Sequence, residues 1–224
     1  MPIGVGGSGK GTAVGTSATT ATFTSTSGSA LVACGVSDWD NPITSFSDNK
    51  GNGNAALLDT TLVHNNASSR MGLWENIVGG SGHTVTVNCG SSSNLLVFAV
   101  EVTGAATSSA IDGVTRQTDN ADPYTSGTIA TTVANALLVG FIGTDEFSAV
   151  TFTANNSFTK VLEELAGTNF TGCVAYWIVS ATGSYESSFS MTGASGNSKG
   201  VWISAFEELS TPPPPTVTWV GYIG

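Results

Sequence analysis

Positive charge is what this chain has least of: 6 Lys and Arg stand against 16 Asp and Glu in 224 residues, a formal net charge of −10. The cations Lys10, Lys50, Arg70, Arg116, Lys160 and Lys199 are scattered. A nucleic-acid surface needs clustered cations to displace phosphate counterions, so neither DNA nor RNA is expected as a partner. No run of eighteen apolar residues occurs, and Met1 to Lys10 lacks the apolar stretch of a secretory signal. The expectation is a chain made and folded in a cytoplasm, with no membrane partner. Cysteine is also scarce: Cys34, Cys89 and Cys173 are odd in number and widely spaced, which reads as buried free thiols, and no CxxC-like pair offers a metal site.

Catalytic signals are equally thin. His64 and His83 are the two histidines, no Gly-x-Ser-x-Gly elbow precedes a helix, and Ser and Asp are too abundant to mark a partner for either ring. Glu163-Glu164 and Glu207-Glu208 are adjacent acids, which on a strand point to opposite faces and cannot flank a glycosidic bond. No enzymatic activity and no cofactor are expected. A sustained helical stripe is missing too, Phe158 to Ala166 being the best candidate for a short helix.

What is present is a repeat. Ala21–Val36 lies over Gly127–Ile142 without a gap at an offset of 106, matching Thr22/Thr128, Thr26/Thr132, Ala30/Ala136 and Leu31/Leu137. The same offset puts Phe46 on Phe152, and small gaps bring Trp74 onto Trp177 and Phe98 onto Trp202. A unit of about 85 residues is written twice. Short runs bounded by Gly, Asn, Asp or Ser supply strands in the first copy at 21–25, 31–36, 43–46, 56–63, 71–76, 84–88 and 95–103. The second copy offers them at 128–132, 137–142, 149–153, 159–165, 173–180, 187–191 and 201–208. Ser and Thr, roughly a quarter of the chain, suit uncharged strand faces. The pattern predicts an all-β fold, an antiparallel β-sandwich of jelly-roll type, as one body of residues 19–209 with halves 19–104 and 125–209. Leu95–Val100 and Leu137–Ile142, continuously apolar, should lie at its centre.

The ends differ from the body. Residues 1–18 are Gly, Ser, Thr and Ala with almost no bulky side chain, the composition of an N-terminal arm. Residues 210–224 form a C-terminal arm: Pro212, Pro213, Pro214 and Pro215 make a polyproline spacer of about 12 Å. Val217, Trp219, Tyr222 and Ile223 follow in a strand-like aromatic segment suited to strand addition on a neighbour. The bland alternative is a tail folded back on its own sandwich.

Other motifs carry less. Gly4-Val-Gly-Gly-Ser-Gly-Lys10-Gly-Thr12 resembles a phosphate loop, but such a loop follows a buried strand and opens a helix, and neither flank fits. Asp48 to Asn54 has the oxygen-rich look of a calcium loop, yet Lys50 takes a ligand position and no acid closes it. Trp74, Trp177 and Trp202 read as core, whereas Trp39, in Asp38-Trp-Asp-Asn41, reads as a surface contact residue.

Thr26-Ser-Gly-Ser-Ala-Leu-Val32, the Gly/Asn loop at 51–54, Arg70-Met-Gly-Leu-Trp74, Gly82-His-Thr-Val-Thr-Val87 and Val100-Glu-Val-Thr-Gly104 resemble a family of β-sandwich virion proteins from tailed bacteriophages. The resemblance spans most of 19–208 and rests on strand and turn patterns. It implies a capsid decoration (cement) protein on the outer capsid surface. Its partners would be the major capsid protein and neighbouring copies of itself, as a homo-oligomer on the particle. A tail or fibre component is the near alternative. The rival from another class is a carbohydrate-binding or host-adhesion module, since sandwiches also present sugar sites in their loops.

Overall fold

The computed structural model describes residues 1–146, 150–165, 170–193 and 197–209; the C-terminal arm lies outside them. Among the described residues there is no helix, and every sheet is antiparallel. The first half comprises β1 (Gly4–Thr19), β2 (Phe23–Ser25), β3 (Ala30–Asp38), β4 (Ile43–Asp48), β5 (Ala56–His64), β6 (Ala67–Trp74), β7 (Gly80–His83) and β8 (Val85–Thr103). The second comprises β9 (Ile111–Asp119), β10 (Tyr124–Thr125), β11 (Ile129–Thr131), β12 (Ala136–Thr144), β13 (Thr151–Ala154), β14 (Thr159–Glu164), β15 (Thr171–Val179), β16 (Gly183–Tyr185), β17 (Ser188–Thr192) and β18 (Lys199–Phe206). The strand expected at 159–165 is present as β14, in preference to the short helix that Phe158 to Ala166 also offered, and Lys160 and Leu162 flank a bulge in it.

Each half carries one large sheet, in the orders β1-β8-β3-β6-β5 and β14-β15-β12-β18-β9. These two sheets pack face to face. Phe98 meets Phe141 edge-on at 6.1 Å, and the Trp202 indole donates to Ser69 Oγ at 2.8 Å. A core of both halves fills this joint, including Val32, Val36, Phe98, Val139, Phe141, Val174 and Trp202. The outer face of each large sheet has its own core beneath the smaller strands, around Phe46, Trp74 and Val97 in one half and Phe152, Ala175 and Phe189 in the other.

The order of one sheet over the other is reversed, so β1 faces β14 as β9 faces β5, and only the central strands β3 and β12 meet their own equivalents, as an approximate two-fold axis running along the strands requires. The chain's charges follow that axis. Lys10 on β1 pairs with Glu164 on β14 at 3.1 Å, and Arg116 on β9, 106 positions after Lys10, pairs with Asp59 on β5 at 3.1 Å. Each outer edge of the joint is thus clamped by the same contact made once per copy.

Two expectations are corrected. Residues 1–18 are not an arm: β1 pairs with β8 from Gly4↔Thr103 to Thr19↔Thr86. Its glycines serve close approach rather than flexibility, because a Cβ at Gly7 or Gly11 would fall 1.8 Å from the Thr24 carbonyl oxygen or 2.0 Å from that of Thr19. Nor does the second half start at residue 125, since β9 lies before it and pairs with β18 as β1 pairs with β8. The repeat register also shifts. Leu31 faces the outer core while Leu137 faces the joint, and Gly35 and Gly140, 105 apart, hold the like positions under Phe46 and Phe189.

Candidate functional site

Three polar arrangements could carry function. The first is buried and was not foreseen. Ser25 on β2, His83 on β7 and Asp48 on β4 form a continuous chain: His83 Nε2 donates to Asp48 Oδ2 at 2.9 Å, and Nδ1 lies 2.6 Å from Ser25 Oγ. Because a carboxylate only accepts, Nε2 carries a proton, and in the tautomer with its one proton there Nδ1 accepts a hydrogen bond from the Ser25 hydroxyl. The composition is that of a hydrolase relay, but its surroundings are those of a bolt. His83 is fully buried, and Phe23 stacks on its ring at 5.1 Å. Asp48 also accepts from the Asn52 backbone at 3.0 Å and from the Asn52 amide. The supposed calcium loop is thereby folded onto β7, with Lys50 Nζ donating to Ser81 O at 2.7 Å. The network joins three strands and leaves the serine facing its partner rather than a substrate.

The second arrangement is the pole where the strands β1, β3 and β12 begin and β8 and β18 end. Leu209 N donates to Gly104 O at 2.7 Å, Ala106 N to Glu207 O at 3.0 Å, and Ile3 N to Glu208 Oε1 at 3.3 Å. The N-terminus, the junction between the copies and the root of the C-terminal arm are therefore stitched together. Between them lies an open groove of about 860 Å³ lined by Met1, Pro2, Ala106, Val133, Glu207 and Leu209 among others. Pro212, Pro213, Pro214, Pro215, Val217, Trp219, Tyr222 and Ile223 lie outside the described residues, but the place from which they depart is this groove's rim.

The third is the opposite pole, where Trp39 sits at the turn after β3 with 56% of its surface exposed. The turn is held firmly. Asp38 accepts from Ser93 Oγ and Asn94 N, both at 3.0 Å, Asn41 accepts from Ser91 N at 3.2 Å, and Trp39 N donates to Asn66 O at 3.2 Å. The other tryptophans among the described residues are structural: Trp202 is buried in the joint, Trp74 donates to Gly53 O at 3.0 Å, and Trp177 packs edge-on between Phe158 and Tyr185.

The cysteines hold no chemistry in this state. All three are buried thiols, and burial pushes Cys89 up to about 11 and Cys173 up to about 12. The Ser25–His83–Asp48 chain escaped the sequence because its members are 58, 35 and 23 positions apart and nothing local marks them. No known protein family, no curated protein and no solved structure matches this chain.

Proposed function

We propose that the protein is a non-enzymatic structural component of a tailed-phage virion, a capsid decoration protein that sits on the outer capsid surface and bridges neighbouring capsid subunits. The observation that carries this reading is the gathering of the N-terminal residues, the repeat junction and Leu209 at one pole, with the Pro-rich, aromatic segment next in sequence after Leu209. A clamped, doubly sandwiched body is a stiff block, and a stiff spacer ending in Trp219, Tyr222 and Ile223 is a means of fastening it at a distance. Ordering the arm costs conformational entropy; burial of its aromatic residues and attachment of many copies to one closed shell offset that cost. The N-terminal segment belongs to the body, so the reach resides in residues 210–224 and in the groove beside Leu209.

Deleting 211–224 is expected to leave thermal unfolding unchanged while sharply lowering occupancy on particles, read by co-sedimentation and by electron microscopy of intact virions. Undiminished occupancy would sink the arm mechanism. A second reading, a tail or fibre adhesin that binds carbohydrate, is favoured by one feature, the rigidly presented Trp39. Glycan-array binding abolished by Trp39→Ala would select it over the capsid role.

A further inference from the structure

Lys199 is a lysine in the wrong place for a soluble cation. It opens β18 with none of its side chain exposed, and Glu146, which follows the neighbouring strand β12, is 6% exposed, with Nζ and Oε1 2.5 Å apart. The Tyr124 ring, itself buried in the outer core of the second half, stands 5.8 Å from Nζ. Two opposite charges withdrawn from water are costly even when paired, because their attraction must repay both desolvations. A covalent bond between the two groups removes both charges at once.

We propose that Lys199 and Glu146 condense into an intramolecular amide that staples β12 to β18. The step begins with transfer of one ammonium proton to the carboxylate across the Nζ–Oε1 contact, which leaves an amine beside a carboxylic acid. The Nζ lone pair then attacks the Glu146 carboxyl carbon. The C–OH bond breaks, the hydroxyl leaves with one amine proton as water, and the other amine proton stays on the amide nitrogen. No oxidant, reductant or cofactor enters the balance. Amide formation in bulk water is held back by dilution and hydrolysis, but two groups fixed in contact in a dry site react with effective molarities on the order of 10⁵–10⁸ M. The staple is independent of the capsid reading, although it secures the strand from which the C-terminal arm continues.

Intact-mass measurement of the denatured full-length protein tests this directly. The expected mass is that of the sequence less one water, and a protease digest should yield a branched peptide joining Glu146 to Lys199. Lys199→Met is expected to show the full mass of its own sequence. A wild-type chain of full mass overturns the staple and leaves an ion pair. A water deficit that persists in Lys199→Met also overturns it, because the loss would then lie elsewhere.

Discussion

The two histidines are both buried, yet they bear on stability in different ways. His83 is tied at both ring nitrogens, by Ser25 and by Asp48, and it holds β2, β4 and β7 together. His64 lies in the joint close to Gly200, where a Cβ would meet its ring at 2.4 Å, and neither ring nitrogen makes a well-formed hydrogen bond among the described residues. Burial, the largest cause, pushes its pKa down from 6.5 to about 3, with the Ser198 backbone opposing; a charged Lys199 nearby adds to the depression, and one condensed into an amide would not. The unfolded chain therefore takes up a proton at this ring before the folded one does. The stability this represents is present above about 6.5 and is lost as pH falls toward about 3. Urea unfolding across that window should show a falling free energy, with a shallower slope in His64→Phe; an identical slope in the variant would assign the acid sensitivity to other groups. Neither histidine's role was legible from sequence, because both depend on residues brought in from distant strands.

At the scale of the element, β1 is the instructive case. Glycine placed to let two backbones touch reads the same in sequence as glycine placed for freedom, so Gly7, Gly9 and Gly11 had the look of an arm. The buried Glu101 shows the difference, accepting from Gly7 N at 2.7 Å and from Thr26 N at 2.6 Å and so pinning β1 to the turn ahead of β3. Deleting residues 1–19 would strip that partner and uncover the β8 edge from Leu95 to Val102, a row of unpaired backbone groups between apolar side chains. The truncated protein is expected to aggregate or associate, as size-exclusion chromatography would report. A soluble monomer with unaltered melting would restore the arm. The strands themselves were readable where one face is wet, as in the alternation from Thr84 to Asn88. Where both faces are dry, as in β12 and in β3 up to Ser37, every residue is apolar or small and nothing in the pattern fixes the register, which is why the ungapped offset placed Leu31 and Leu137 on opposite faces.

For the whole molecule, duplication is the organising fact. The second copy is the first turned about an axis between the large sheets, and the Lys10–Glu164 and Arg116–Asp59 pairs mark the two edges of that turn. Because the joint core draws on both copies, neither half buries its inner face alone. Phe98→Ala should destabilise the molecule by about 3–5 kcal/mol, as large truncations in a packed core do. It should lower one transition rather than one of two, with calorimetric and van't Hoff enthalpies in agreement. Two separate transitions would mean that the halves fold as independent units. The joint also fixes how the molecule meets a pull. A tug on the C-terminal segment enters β18 along its own length, with β12 hydrogen-bonded on one side and β9 on the other. Force in that direction must slide both ladders and break many hydrogen bonds together, whereas a sideways tug would open them one at a time. The joint thus makes β18 an anchor loaded in shear, strongest along the strand's own axis.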